Sequence, residues 1–198
     1  MLIKTIPVGQ LETNCYIVTN EDTLECVVID PGDESNTILD YLEDNRLRCR
    51  AIMLTHGHFD HTGAVLGVAE ETGATVYMNS RDDKRGQVFE LPFRLPEGGI
   101  CYDDGDQIDE AGLRFEILAT PGHTPGGVTI KVENALFTGD TLFRLSCGRY
   151  DFPASDGRAL MRSLQRLRAL PGNYDVYPGH GQSTTLEFER RMNPAMAL

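Results

Sequence analysis

The stretch Thr55-His56-Gly57-His58-Phe59-Asp60-His61 carries three imidazoles and a carboxylate directly after residues 50–54, an apolar run that predicts a buried strand. Because side chains two residues apart point the same way in an extended chain, we expect His56 and His58 to share one face. A turn beyond the strand end can carry the rest of the stretch to a second position. Zinc, iron and manganese accept nitrogen and oxygen donors of this type. Four potential ligands in this order favour a metal site over a solvated polar loop.

The other two of the five histidines also stand in loops that follow predicted strands. Glycines and prolines flank both His123 and His180, so the backbone can turn sharply and direct the rings to a shared centre. Asp140 ends a strand-like run in the same way. An aspartate of this kind is by itself more often a turn residue or a helix N-cap. Beside five histidines in strand-end loops, we interpret Asp140 as a metal ligand.

The number of donors predicts two metal ions, since a tetrahedral zinc site uses about four ligands. The seven candidate ligands are His56, His58, Asp60, His61, His123, Asp140 and His180. The first ion is expected to take His56, His58 and His123. The second is expected to take Asp60, His61 and His180, with Asp140 between the two ions.

A water between two metal ions is expected to ionise near neutral pH, which provides a bridging hydroxide. Asp60 and Asp140 are the predicted catalytic residues, because they would orient this hydroxide and manage protons. Zinc is the expected divalent metal, while iron and manganese suit the same donors.

Length and charge limit the partners of this chain. Its 198 residues suit one domain over residues 1–198. The 30 acidic residues outnumber the 18 basic ones, which gives a net charge of −12. Such a charge argues against a nucleic-acid surface and against docking on an anionic membrane. No apolar run is long enough to span a bilayer, and the N-terminal pattern is not that of a signal peptide. The sequence carries no signal for the oligomeric state.

The five cysteines indicate a reducing compartment. They are odd in number and irregularly spaced, and no CxxC pair occurs among them. This arrangement is not typical of a disulfide framework, so we expect a cytoplasmic protein.

Short strands and helices alternate along the chain. Strands are predicted over residues 2–8, 15–19, 25–29, 50–54, 75–78, 107–108, 114–119, 128–132, 135–137 and 175–177. Helices are predicted over residues 35–45, over residues 64–72 with Gly73 as C-cap, around Leu160, Leu164 and Leu167 up to Pro171-Gly172, and over residues 186–192. Strands followed by a helix, twice over, predict two packed sheets with helices outside. The irregular segment 80–99 is either an element that covers the substrate or a surface excursion.

The order of the candidate ligands resembles the metallo-β-lactamase superfamily, whose motif HxHxDH is followed by single H, D and H positions. The likeness extends from Ile29-Asp30-Pro31-Gly32 to Tyr177-Pro178-Gly179-His180-Gly181. It implies an α/β (α+β) fold, a four-layer αβ/βα sandwich with a dinuclear metal site on one edge. It also implies that Asp30 orients the metal loop, whereas the residues alone are equally typical of a turn aspartate before proline.

Within the superfamily, the chain is similar to the glyoxalase II enzymes, the hydroxyacylglutathione hydrolases. The similarity lies in Asp104-Gly105-Asp106, Thr120-Pro121-Gly122-His123-Thr124-Pro125-Gly126 and Thr138-Gly139-Asp140-Thr141-Leu142-Phe143. The short bacterial glyoxalase II-like proteins also resemble it at Gly148-Arg149-Tyr150-Asp151-Phe152-Pro153 and Glu189-Arg190-Arg191-Met192-Asn193-Pro194. Longer glyoxalase II enzymes favour a lysine and a tyrosine where this chain has Arg149 and Asp151, so recognition of glutathione does not follow from the likeness.

The resemblance implies a metallohydrolase that cleaves small-molecule thioesters such as S-lactoylglutathione with a metal-bridging hydroxide. Arg149 and Tyr150 are the predicted substrate-binding residues. The guanidinium of Arg149 holds an anionic group of the substrate, or else it pairs with Asp151 or Asp156.

An alternative activity is oxidation by one ferrous ion. The run Gly148-Arg149-x-Asp151-Phe152 is similar to persulfide dioxygenases, which would use His56 or His58 together with His123 and Asp140. The Pro178-Gly179-His180-Gly181 run is more similar to the hydrolases. A nuclease fits the acidic charge poorly, and a non-catalytic binding module does not explain a complete ligand set.

Overall fold

Two six-stranded sheets carry the fold, and the computed structural model describes residues 1–83 and 93–197 of the chain. The first sheet contains, in spatial order, β1 (Leu2–Val8), β2 (Thr13–Asn20), β3 (Glu25–Ile29), β4 (Arg48–Met53), β5 (Thr75–Asn79) and β6 (Ile100–Tyr102). Strands β1 to β3 pair antiparallel, and β3 to β6 pair parallel.

The second sheet consists of six strands from the second half of the chain. They are β7 (Gln107–Glu110), β8 (Leu113–Ala119), β9 (Val128–Val132), β10 (Ala135–Gly139), β13 (Asp175–Pro178) and β14 (Thr184–Thr185), in the spatial order β14-β13-β10-β9-β8-β7. Strands β10 and β13 pair parallel, and the other neighbours pair antiparallel. A separate small hairpin joins β11 (Leu142–Phe143) to β12 (Ser146–Cys147).

Five α-helices accompany the sheets in the described part of the chain. They are α1 (Ser35–Asp44), α2 (Phe59–Thr62), α3 (Val65–Thr72), α4 (Gly157–Arg168) and α5 (Leu186–Met192), and a 3₁₀ turn follows at Pro194–Met196. Helix α4 buries Leu160, Leu164 and Leu167, whose spacing forms one apolar stripe. None of the helices in residues 1–83 and 93–197 is long and apolar enough to cross a membrane.

Three separate apolar cores hold four layers together. The first core packs Ile38 of α1 and Val65 of α3 against the first sheet. The second core lies between the two sheets and includes the fully buried Phe115 and Phe137. The third core packs α4 and α5 against the second sheet, with Val176 at its centre. The expected four-layer αβ/βα sandwich is therefore confirmed.

The topology brings the carboxyl ends of five strands to one edge of the sandwich. Strands β3 and β4 run parallel in the first sheet, and β8, β10 and β13 run in one direction in the second. Backbone bonds join the two sheets at this edge: the Val128 amide donates to the Thr55 carbonyl at 2.9 Å, and the Asn14 amide donates to the Gly179 carbonyl at 2.8 Å. The loops that follow these five strands therefore meet.

Most of the predicted elements occur within a few residues of their expected bounds, and Gly73 has the left-handed conformation of a helix C-cap. Helix α4 ends at Arg168, not at the expected Pro171-Gly172. The prediction missed α2, β6, β14 and the β11–β12 hairpin, because elements of two to four residues carry too little periodicity to detect. Of the segment 80–99, residues 84–92 lie outside the described residues.

Candidate metal centre

Three imidazoles form the first ligand group, which we call the histidine group: His56, His58 and His123. His56 and His58 follow β4, and His123 follows β8. The Nδ1 atom of His58 lies 3.1 Å from Nε2 of His56 and 2.9 Å from Nε2 of His123. Ligands of one zinc ion with Zn–N bonds of about 2.0–2.1 Å stand about 3.3 Å apart in a tetrahedral site. The three buried nitrogens are therefore spaced as ligands of one ion.

Asp60, His61 and His180 form a second group, which we call the mixed group. Asp60 and His61 lie in the one-turn helix α2, and the His61 ring packs 4.0 Å from that of His56, measured between centroids. Asp60 Oδ2 lies 3.3 Å from His180 Nε2 and 3.7 Å from His61 Nε2. One carboxylate oxygen and two ring nitrogens thus converge at a second position.

Asp140 lies between the two groups. Its Oδ1 atom is 3.4 Å from His61 Nε2, and its Oδ2 atom is 3.4 Å from His123 Nε2 and 3.6 Å from His180 Nε2. In the described part of the chain, His61 Nε2 and Asp140 Oδ1 are the buried side-chain atoms without a hydrogen-bond partner. Such atoms are costly unless something else satisfies them. Divalent cations in the two groups would satisfy both, so the residues fit two metal ions.

A hydrogen bond fixes each of three imidazole rings on the side away from the ligand positions. The Nδ1–H group of His61 donates to Asp30 Oδ2 at 2.9 Å, that of His123 to the Arg149 carbonyl at 2.8 Å, and that of His180 to the Leu11 carbonyl at 3.1 Å. A bond of this kind sets the tautomer and leaves Nε2 free to bind a metal. Asp30 also accepts from the Thr55 amide at 2.7 Å. It therefore contacts the metal loop directly, which a turn aspartate would not do.

The charges of the site suit cation binding. Burial and the neighbouring imidazoles lower the pKa of His56 well below its ordinary value, and they lower the pKa of His58 to about 4. Both rings are therefore neutral near pH 7. Burial opposes ionisation of Asp140, but the facing His61 outweighs it, so the pKa of this carboxyl lies below its ordinary value. The pKa of Asp60 is lowered too, because neighbouring histidines outweigh its burial. Two anionic carboxylates thus lie beside the neutral rings of His56 and His58. The pKa values of His61 and His180 are raised instead, because the facing carboxylates outweigh the burial of these two rings.

Glycines make room for the ligands at two points. A Cβ atom on Gly179 would lie 2.2 Å from Asp140 Oδ1 and 2.8 Å from His61 Cε1. A Cβ atom on Gly148 would lie 1.8 Å from the Asp140 carbonyl oxygen. Since real Cβ atoms do not approach so closely, the close packing of ligands requires glycine at both positions.

Sequence reasoning missed two residues that contact the ligands. Thr13 donates its hydroxyl to Asp60 Oδ2 at 3.2 Å. The ring of Phe152 packs 5.5 Å from that of His58 and 5.8 Å from that of His123, measured between centroids. Thr13 is distant in sequence from the motif and carries no signal of its own. Phe152 lies in a run already noted for its resemblance to related enzymes.

Arg149 and Tyr150 lie on the rim of this region, not among the ligands. The guanidinium of Arg149 forms a two-point ion pair with Asp151, with both N–O distances at 2.9 Å, and it lies over the Phe152 ring. Asp156 instead caps helix α4. Tyr150 is 55% exposed. The backbone carbonyl of Arg149, which accepts from His123, connects this loop to the ligands.

A cleft of about 480 Å³ borders the mixed group. The turn between β1 and β2 forms one wall, which includes Leu11 and Thr13, and Phe59 and Asp60 line the other side. Leu11 and Phe59 are more than half exposed. The cleft thus gives a small molecule access to one side of the candidate metal centre.

Comparison with known proteins agrees with this architecture. Residues 8–180 match the model of the metallo-beta-lactamase superfamily. The hydroxyacylglutathione hydrolase GloC of Haemophilus influenzae is 35% identical over 98% of this chain and 97% of its own length. Among solved structures, the B3 metallo-beta-lactamase BLEG-1 has a TM-score of 0.89 at 31% identity, with all of both chains covered. TTHA1623 in a di-iron-bound form has a TM-score of 0.83 at 37% identity, with 96% of this chain and 98% of its own covered.

The four-layer fold and the clusters of histidine and aspartate side chains define the class of this protein, a metal-binding hydrolase built on two packed β-sheets. The chain belongs to the metallo-β-lactamase superfamily. It is a hydrolase of that superfamily, and its clusters suit divalent metal ions.

Proposed function

We propose that this protein hydrolyses small-molecule thioesters, such as S-lactoylglutathione, at a centre of two divalent metal ions. The observation that carries the proposal is the position of Asp140, whose carboxylate faces His123 of the histidine group and both His61 and His180 of the mixed group. A carboxylate so situated is suited to bridging two ions. The 35% identity to a hydroxyacylglutathione hydrolase supports the thioester as substrate class.

In the proposed centre, His56, His58 and His123 hold one ion, Asp60, His61 and His180 hold the other, and Asp140 contacts both. Two such ions would lower the pKa of a water and stabilise the negative charge that develops on a thioester carbonyl oxygen. Zinc is the proposed metal, and iron or manganese suits the same donors. The similarity to TTHA1623 in its di-iron-bound form supports iron as an alternative.

Asp60 and Asp140 are the proposed catalytic residues of the chain. The hydroxyl of Thr13 donates to Asp60 Oδ2 and so orients that carboxylate. Asp140 is held by contacts to three histidines. Two anionic oxygens in fixed positions can orient a water and accept its proton. Phe152 covers one side of His58 and His123 and so keeps bulk water from these rings.

The substrate is proposed to approach between the cleft and the loop of Arg149 and Tyr150. Arg149 can hold an anionic group of the substrate if its guanidinium exchanges Asp151 for that group. Both partners of this ion pair are about two-thirds exposed, so the exchange costs little. Tyr150 presents an exposed ring beside it.

The second ligand group favours hydrolysis over the mononuclear-iron alternative. A persulfide dioxygenase with one ion would leave Asp60, His61 and His180 without a role in binding metal. These residues instead converge as closely as a ligand set does.

The free thiols of all five cysteines support a cytoplasmic location.

The test is an assay of protein with a measured metal content against S-lactoylglutathione, other acyl thioesters, a β-lactam, and glutathione persulfide with oxygen uptake. We expect thioester hydrolysis that a chelator abolishes. A protein with two ions per chain that leaves every thioester intact would refute the proposal. Oxygen uptake with the persulfide would then identify a dioxygenase, and cleavage of the β-lactam would identify a lactamase.

A further inference from the structure

A buried carboxylate outside the seven candidate ligands organises one side of the metal centre. Asp82 follows β5 and has 0% exposure. Its Oδ2 atom accepts from the Gly57 amide at 3.0 Å and from the Thr124 hydroxyl at 2.7 Å. Its Oδ1 atom accepts from the Gly126 amide at 2.6 Å. Hydrogen bonds to an ionised carboxylate are the short and strong kind.

These three donors belong to the two loops that carry the histidine group. Gly57 lies between His56 and His58, and Thr124 directly follows His123. Asp82 thus connects the β4–α2 loop of the first sheet to the β8–β9 loop of the second. A Cβ atom on Gly126 would lie 2.7 Å from Asp82 Cγ, so this approach requires glycine.

We propose that Asp82 is a positioning residue for the histidine group alone. By holding the two loops at one distance, it sets the spacing of the three nitrogens and therefore the affinity for the ion bound there. Asp30 differs, because it contacts His61 of the mixed group directly and His56 of the histidine group through the Thr55 hydroxyl. The inference rests on the metal centre of the proposed function, but not on its substrate.

The substitution Asp82→Asn tests this idea with almost no change of shape. An amide has one acceptor oxygen, so its NH₂ group must face either the Gly57 or the Gly126 amide, and two donors then oppose each other. The loops are expected to move apart. Loss of a partner behind a ligand typically weakens metal binding about 10–100-fold.

The measurement is titration of metal-free protein with Co²⁺ and Zn²⁺ against a chromophoric chelator, with the visible Co²⁺ spectrum as a second readout. We expect one of the two binding constants to fall about 10–100-fold in the Asp82→Asn variant. The other should change by about twofold at most, as for independent sites.

Two ligand variants identify which constant belongs to which group. His180→Ala removes a ligand of the mixed group, and in this background Asp82→Asn should weaken the remaining ion. His123→Ala removes a ligand of the histidine group, and in this background Asp82→Asn should have no effect on the remaining ion. Thr13→Val, which removes the hydroxyl that donates to Asp60 Oδ2 in the mixed group, is the matched control and should show the reverse pattern.

A milder pair keeps the inference testable if Asp82→Asn does not fold. Thr124→Val removes one donor and keeps the side-chain shape, so a smaller loss confined to the histidine group is expected, while Thr124→Ser should restore wild-type binding. Equal loss at both groups, or no loss at either, would overturn the inference. A protein inactive on thioesters that still shows the selective loss would contradict the proposed substrate and support the role of Asp82.

Discussion

Three histidines of the candidate metal centre are each held by a hydrogen bond on the side away from the ligand positions. The Nδ1–H groups of His61, His123 and His180 donate to oxygens of the protein. Asp140 differs, because its two oxygens both face ligand nitrogens. Loss of Asp140 should therefore affect both groups.

The substitution Asp140→Asn tests this expectation. Because both ligand groups share the charge of this carboxylate, both metal affinities should fall at least about tenfold, the smallest effect typical even of residues behind the ligands. The measurement is the same chelator competition on metal-free protein. Asp151→Asn, a carboxylate in a nearby loop, is the control and should leave both constants unchanged. Unaltered binding in Asp140→Asn would contradict a bridging position.

A second residue-scale prediction concerns Gly179. In Gly179→Ala, the new methyl group would lie 2.2 Å from Asp140 Oδ1, so the carboxylate must move. We expect loss of at least one of the two ions by metal analysis, together with loss of thioester hydrolysis. Gly181→Ala is the control in the same loop: its φ of 76° is strained for alanine, but no atom lies within 4 Å of the added Cβ. If both variants keep two ions, close packing at position 179 is not required.

At the scale of secondary-structure elements, a short helix and the start of a longer one position the metal ligands. Helix α2 is a single turn, yet it carries Asp60 and His61, two of the three side chains of the mixed group. Helix α4 packs beneath the loop of His123, and a Cβ atom on Gly122 would lie 2.2 Å from the Leu160 amide nitrogen. The start of α4 therefore supports one metal-binding loop.

The N-cap of α4 gives an element-scale prediction. The Asp156 carboxylate accepts from the Arg158 amide at 2.8 Å and from the Ala159 amide at 3.1 Å. Asp156→Ala should lower the free energy of unfolding by about 1 kcal/mol, because these amides lose their acceptor. Urea denaturation followed by circular dichroism measures the change. Asp156→Ser retains a capping oxygen and should stay near the wild type, whereas equal loss in both variants would argue against capping.

At the scale of the whole molecule, the metal centre joins the two sheets. The histidine group takes two ligands from the first sheet and one from the second. Ions bound at this junction stabilise the folded state, since the unfolded chain does not keep the ligands together. Metal binding and global stability are therefore expected to change together.

Removal of metal tests this coupling. At about 1,000 times the dissociation constant, a bound ion adds about 4 kcal/mol to stability, which for a chain of this size corresponds to a Tm rise of about 10 °C. Chelation should lower the Tm by this order and abolish activity, and Zn²⁺ should restore both. Mg²⁺ and Ca²⁺ prefer oxygen ligands and should restore neither. A Tm independent of metal would contradict the coupling.

The sequence by itself determined the donor set and most of the long elements. Periodicity located strands such as β1, β3 and β9 with their observed bounds. Strands β3 and β9 are almost wholly buried, and β1 buries Ile6 and Val8. The pattern of histidines in glycine-flanked loops predicted a metal site, since imidazoles in such positions are poor core residues and good ligands.

The tertiary structure alone decided what holds the donors in place. Asp82 and Thr124 are 42 residues apart, and Thr13 lies 47 residues before Asp60. Contacts over such separations leave no trace in local periodicity, because they depend on how the two sheets pack. Arg149 is a different case: its partner Asp151 is two residues away, but residue types alone do not distinguish this ion pair from a contact with an anionic substrate group. The residue types thus fixed the chemistry, and the packing of the two sheets fixed its geometry.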